Sequence, residues 1–230
     1  MGDMSNMVQQ LSAETTPEII YPDSDGQPMA DNTKQYQWIV KIKENLEILF
    51  ASNPDVFIAG DLLWYPVEGN PKIRQAPDVL VVFGRPKGDR GSYQQWKENN
   101  IPPQVVFEIL SPGNRTPAMI NKSLFYQRYG VEEYYIYDPD TLELSGFVRY
   151  QDAFIAIEDI NGWISPRLGI RFQLVLDNLE IYYPDGNKFL TSVEFDQLAK
   201  QERQEKEAAI QQYQELLAKL QEKGIDLDNL

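Results

Sequence analysis

Histidine and cysteine are both absent from this 230-residue chain. No apolar run approaches the roughly 20 residues needed to cross a bilayer. Without cysteine there are no disulfides, no thiol nucleophiles and no thiolate zinc sites. Without histidine, Ser-His triads, imidazole general bases and His-ligated metals are excluded within the chain. Any catalysis must rest on carboxylates, lysine, hydroxyls or a hard cation, and oxygen-rich sites suit magnesium, manganese or calcium. The opening MGDMSNMVQQLSAETTPEII has no basic start followed by an apolar stretch, so the expectation is a cytoplasmic protein with no secretory signal and no membrane span.

Positive charge is also scarce, with 21 Lys and Arg against 35 Asp and Glu and a net charge of −14. Taken whole, that opposes unspecific adhesion to nucleic acid. The distribution is uneven. Residues 71–130 carry nine Lys or Arg against four acids, while the remainder carries 12 against 31.

Residues 1–30 are polar, punctuated by YPDSDGQP, and read as a tail or extended lead-in. A first helix follows, capped by Asp31, Asn32 or Thr33, with Ile39, Ile42, Leu46, Leu49 and Phe50 on one stripe, ending near SNPD. VFIAGDLLWYPV and IRQAPDVLVVF are β-rich runs whose spacing across EGNPK suggests an antiparallel hairpin. A long basic connection, with room for a short helix, leads to a third strand, QVVFEIL. A second helix spans Pro117 to Tyr129, with Thr116 as cap and Gly130 just past its end. EEYYIYD is a fourth strand, and short β runs from Leu142 to Tyr183 predict an antiparallel extension. From about Ser192 to Gly224 the composition is that of a long terminal helix. Ile210, Tyr213, Leu217 and Leu220 form one short apolar seam on it.

Three polar residues stand where the apolar pattern does not ask for them. Glu108 lies inside the doubly buried run PPQVVFEILSP, where an unpaired carboxylate would cost several kcal/mol, roughly, or take up a proton. Asp78 opens the second apolar strand directly after a proline. Lys122 shares a helical face with Ala118, Phe125, Tyr126 and Tyr129. Each has a plainer reading: Asp78 as a strand starter, Glu108 as partner of Arg74 or Arg115, Lys122 as a snorkelling side chain. If the second and third strands are neighbours, however, the two acids meet on one rim and the following helix brings Lys122 to the same place. Two carboxylates held together call for a proton or a cation between them.

Here PDVLVVF, PPQVVFEILSP, the helix-borne lysine and YGVEEYYIYDP together resemble the Uma-type family of restriction endonucleases, within the PD-(D/E)XK nuclease superfamily. The resemblance covers roughly residues 30–185. It implies an α+β fold with an α/β core: a restriction-endonuclease-like mixed central sheet flanked by helices, with an antiparallel β extension and a long C-terminal helix. The division it suggests is an N-terminal tail over 1–30, a nuclease-like domain over 31–190 and a short coiled-coil-like helical segment over 191–230. It further implies an Mg2+-dependent (or Mn2+-dependent) endonuclease acting on DNA. Asp78 and Glu108 become metal ligands, Lys122 the catalytic lysine and Asp61 a weaker third ligand. Asp61 reads equally as an acid marking a strand bend after Gly60. The superfamily usually places its lysine two positions after the acid, which here is Leu110, and Lys122 fits the variation that supplies it from the following helix.

Arg85, Lys87, Arg90, Lys97 and Arg115, with Tyr93 and Trp96 between them, are the expected grip on the DNA backbone, the plainer reading of the loop being a solvated surface connection. A homodimer is expected, joined through the sheet extension or the terminal helix. Where relatives carry an acid four residues before the lysine this chain has Ala118, and the histidine that many relatives have near Tyr36 is absent. Those departures motivate an alternative: a catalytically silent module that binds a helical protein partner through residues 195–223.

Overall fold

The computed structural model describes residues 19–24, 26, 30–112, 117–176 and 178–222. Its strands in chain order are β1 (Val56–Gly60), β2 (Trp64–Tyr65), β3 (Val79–Phe83), β4 (Tyr93–Gln94), β5 (Val105–Ile109), β6 (Glu133–Asp138), β7 (Glu143–Tyr150), β8 (Ala153–Ala156), β9 (Arg171–Val175) and β10 (Asn178–Tyr182). Six of them form a mixed sheet in the order β1-β3-β5-β6-β7-β8, with β5 and β6 parallel and every other neighbouring pair antiparallel. Of the antiparallel extension expected over Leu142 to Tyr183, β7 and β8 join this sheet at its edge, while β9 and β10 pair apart from it. With helices α1 (Thr33–Leu49), α2 (Pro117–Tyr129) and α3 (Ser192–Glu222), this is the α+β arrangement that the sequence leads one to expect.

Alternation of side chains explains the layering. Val56, Ile58, Val79, Val81, Val105 and Phe107 face α1, where Ile39, Ile42 and Leu46 meet them. Phe57, Leu80, Val82 and Val106 face the other way, toward Tyr126 of α2 and the buried Trp64 and Tyr134. A sheet covered on both faces requires near-continuous apolar strands, which is why β3 and β5 show no polar alternation.

α1 begins where its cap allows. Asn32 accepts the Gln35 N–H at 2.9 Å, and the Gln35 side-chain oxygen accepts the Asp31 N–H at 2.8 Å, a reciprocal arrangement close to a capping box. α2 ends at Gly130, whose φ of 97° suits a residue without Cβ. Its expected cap, Thr116, lies outside the described residues. The hairpin expected across EGNPK is looser than its spacing suggests. β1 and β3 do pair antiparallel, but the chain leaves the sheet at Asp61, which adopts φ 48°, and returns only at Val79. Acidic and amide side chains tolerate that left-handed region better than most, so Asp61 is the residue that bends the strand. The excursion carries β2, which pairs in parallel with β4 from the basic connection; a single 3₁₀ turn follows at Gln95–Lys97. The described part of the lead-in docks on this excursion, with Tyr21 against Tyr65 and Trp96 at ring distances of 5.3 and 4.8 Å.

One buried amide joins the C-terminal part to the core. Asn45, wholly inaccessible, donates to the carbonyls of Lys41 (2.6 Å) and Leu190 (2.7 Å) and accepts from Tyr183 Oη (2.8 Å) and Leu190 N–H (3.0 Å). Truncating it strands several buried polar groups at once. Asn45→Ala should therefore lower unfolding free energy by about 3 kcal/mol, read from the urea midpoint. A loss below about 1 kcal/mol would mean that water replaces the amide at little cost. Just beyond, Thr191 and Glu194 cap α3 reciprocally, and the helix then runs with Ile210, Tyr213 and Leu216 exposed. Among the described residues no helix is long and apolar enough to cross a membrane.

Candidate active site

The antiparallel register of β3 and β5 sets Val79 opposite Phe107 and Leu80 opposite Val106. Carried one residue further, it sets Asp78 opposite Glu108, on the face that looks toward α2. Both carboxylates are buried, at 7% and 1% exposure. Like charges at facing positions of neighbouring strands repel, so the surroundings must compensate.

They do so unequally. Glu108 receives the Lys122 ammonium at 2.7 Å on one oxygen and the Tyr126 hydroxyl at 2.5 Å on the other. Lys122 and Tyr126 are four residues apart, one above the other on α2, so a single helix turn delivers both donors. Asp78 instead accepts the Ile109 N–H at 2.6 Å and a hydrogen bond from Gln35. Gln35 also donates to the Ile109 carbonyl at 2.9 Å, and Ser111 Oγ donates to Asp31, which clamps the start of α1 over the end of β5.

Electrostatics follow from this division. Asp78 is pushed up to about 8, first by burial and then by the charge of Glu108. Lys122, the Ile109 N–H and Gln35 pull it back only in part. Burial alone would lower Lys122. The charges of Glu108 and Asp78 and the hydrogen bond to Glu108 outweigh it, and the ammonium ends above its ordinary value. Tyr126 is raised by burial and by Glu108, and stays a hydroxyl that donates. Near neutral pH the site thus holds two acids against one ammonium and retains a proton on Asp78 as compensation. A hard cation would fit in place of that proton. The available donors, the carboxylates of Asp78 and Glu108 and the Ile109 carbonyl, are all oxygen, and magnesium needs few protein ligands because it keeps several waters. Among the described residues no group of three or more acidic side chains gathers to hold a metal.

The sequence profile of the Uma2 family, described as "Putative restriction endonuclease", matches residues 9–188. The chain belongs to the Uma2 family. Among solved structures it is similar to a "putative nuclease belonging to DUF820" from Anabaena variabilis, at 16% identity and a TM-score of 0.44, over 61% of this chain and 74% of that one. No curated protein matches it.

Within this Uma2 chain, Asp78, Glu108 and Lys122 are brought together, and neither Arg74 nor any other described arginine ties off the glutamate. Arg74 donates to the Pro71 carbonyl at 3.4 Å. Asp61 stands at the strand bend, its N–H on the Asp78 carbonyl at 3.2 Å, near enough to Lys122 to raise it. The basic connection is arranged otherwise than as an open grip. Arg85 and Arg90 both close on Glu98 at 2.7 Å, and the Arg90 guanidinium also lies 3.9 Å from the Phe57 ring centre. Lys87 pairs with Glu47 at 2.8 Å, Tyr93 is buried, and Lys97 is exposed on the 3₁₀ turn. Arg115 lies outside the described residues.

Sequence reasoning missed Gln35 and the hydroxyl of Tyr126. Gln35 was detectable as a polar residue continuing the buried stripe of Ile39, Ile42 and Leu46. Tyr126 was visible on the Lys122 face but read as apolar. Another buried acid, Glu133, opens β6, the strand expected over EEYYIYD. It accepts from Tyr135 at 2.9 Å, from the Arg167 N–H at 2.6 Å and from Ser165, partners that account for it structurally.

Proposed function

We propose that this chain is a magnesium-dependent DNA endonuclease, with manganese as a substitute, that hydrolyses phosphodiester bonds. The observation that carries this reading is the convergence of two buried acids from facing strand positions with an ammonium from the next helix. Asp78, Glu108 and the Ile109 carbonyl would hold the ion, which when bound supplies a Lewis acid for a phosphate oxygen and a water of lowered pKa.

The chain's own residues do the rest. Lys122 spends one of its three N–H bonds on Glu108 and is 20% exposed at the mouth of the site. Its remaining donors are free to meet a phosphate oxygen or to orient the attacking water, and they stabilise charge that develops on phosphorus oxygens. Tyr126 fixes the second oxygen of Glu108 from below. Gln35 fixes both the Asp78 carboxylate and the Ile109 carbonyl, so the ligand set is held by donors that themselves sit in packed elements. Asp61 acts on Lys122 through its charge and keeps the ammonium protonated.

The test is a plasmid nicking assay with Mg2+ or Mn2+, with and without chelator. Cleavage should require the metal, and Lys122→Met should slow it by about 10²–10³-fold while the fold persists. Cleavage undiminished in Lys122→Met would remove the lysine from the mechanism. No cleavage by wild-type protein under any metal would favour the non-catalytic module acting through α3.

A further inference from the structure

Positive charge is rationed in this chain, and its pairing shows where an anion is awaited. Of the nine Lys and Arg between residues 71 and 130, all but Arg115 are described. Four of these meet carboxylates: Arg85 and Arg90 at Glu98, Lys87 at Glu47 and Lys122 at Glu108. Lys72, Arg74, Lys97 and Arg128 have no carboxylate partner among the described residues. Three of those four, Lys72, Arg74 and Arg128, line one cavity of about 350 Å³ with no acid among its described lining residues. Three like charges gathered in an acidic protein raise a local positive potential.

The place of this cavity is as informative as its charge. Its walls come from the segment 72–75, which leads directly into Asp78, and from the α2 residues beyond Lys122. Arg74 precedes Asp78 by four residues. Arg128 follows Lys122 by six, about 9 Å along the helix. The same lining includes two half-buried rings, Phe125 and Tyr129, 4.7 Å apart and tilted by 57°, with the Arg128 guanidinium 5.5 Å from the Tyr129 ring centre. Both are braced edge-on against the buried Trp64, at 5.3 and 6.3 Å, so they are held as fixed surfaces.

Cations beside fixed aromatic rings suit a nucleic-acid strand whose bases are out of the duplex stack, because phosphates meet the charges and an unpaired base meets a ring. A fully paired duplex would offer its phosphates only. We propose that Lys72, Arg74 and Arg128 bind the backbone of a single DNA strand beside the phosphate to be cut, with one unpaired base laid against Phe125 and Tyr129. This rests on the nuclease reading, and its test uses binding alone.

Fluorescence anisotropy of a labelled single strand of about 20 nucleotides, and of the matching duplex, is measured in chelator with the full chain. Wild-type protein should prefer the single strand. The triple variant Lys72→Glu, Arg74→Glu, Arg128→Glu should bind it more than about tenfold more weakly. Its slope of log affinity against log salt should be smaller by about two. Lys206→Glu, which removes an exposed cation of α3 outside the cavity, should change affinity by less than about threefold. Thermal melts identify variants that fail to fold, and Tyr129→Leu, which leaves the charges in place, should weaken the single strand but not the duplex. A folded triple variant that binds like wild type overturns the proposal, as does wild-type protein that binds neither probe. Tighter duplex binding overturns the single-strand assignment. None of these outcomes touches the metal-dependent cleavage test of Lys122, so the two readings fail separately.

Discussion

Glu108→Gln should abolish metal-dependent cleavage, by more than about 10³-fold, and leave a folded protein. The choice of glutamine matters. Glu108→Ala would strand the Tyr126 hydroxyl and the Lys122 ammonium inside the core, at a cost of about 3–5 kcal/mol, and lost activity could then mean lost structure. Glutamine keeps an oxygen for Tyr126 and fills the same volume. Lys122 loses its closest anion but still faces Asp78, which is freed from the repulsion of Glu108 and can take over as its counter-ion. The amide no longer offers a charged oxygen to a cation, so Mg2+ affinity falls together with turnover. Calorimetric titration of Mg2+ and the nicking assay, run on the same preparation, check both. Cleavage within tenfold of wild type would show that the buried glutamate is not a ligand.

Much of this arrangement is legible in the sequence, for a reason specific to buried charge. An acid inside VVFEI, an acid opening VLVVF and a lysine on a ring-rich helix face are expensive in isolation, so the sequence advertises that they have partners. Strand neighbours and helix order then follow from apolar runs and turn residues. Less legible was everything decided by pairing between remote surface groups. Arg85 and Arg90 looked like a free basic loop because Glu98, which holds both, is separated from them by intervening loop residues and by a strand and a 3₁₀ turn. Lys87 finds its partner, Glu47, on α1, forty residues away in the chain. The cations left over were unremarkable one by one. Only the fold gathers Lys72, Arg74 and Arg128 around one cavity. Gln35 was hidden for a related reason: its oxygen serves the cap of α1, while its nitrogen serves β5, seventy-four residues on.

Asp78→Asn should make the protein more stable at pH 8.5 in chelator, by about 3–5 kcal/mol, and should change little at pH 4. The sign follows from where the proton goes. In the unfolded chain the carboxyl ionises near its ordinary value, whereas in the folded protein burial and Glu108 push it up to about 8. Below about pH 4 both states hold the proton and the group contributes nothing to the pH dependence. As pH rises from there to about 8, the unfolded chain releases its proton freely while the folded site retains it, so stability drains away at up to about 1.4 kcal/mol per pH unit. An asparagine has no proton to lose, keeps an oxygen for the Ile109 N–H and escapes that cost. In a chain of this size the gain corresponds to a rise in melting temperature on the order of 10 °C at pH 8.5. Mg2+ supplies the internal control, since an ion bound to the native site stabilises the protein in proportion to its occupancy. It should raise the melting temperature of wild-type protein at pH 8.5 and leave the asparagine variant nearly unmoved, narrowing the gap that chelator opens. A variant that melts below wild type at pH 8.5, or whose advantage is the same at pH 4, would mean that Lys122, Gln35 and the Ile109 N–H already satisfy an ionised Asp78, and the site would then have no unmet demand for a cation.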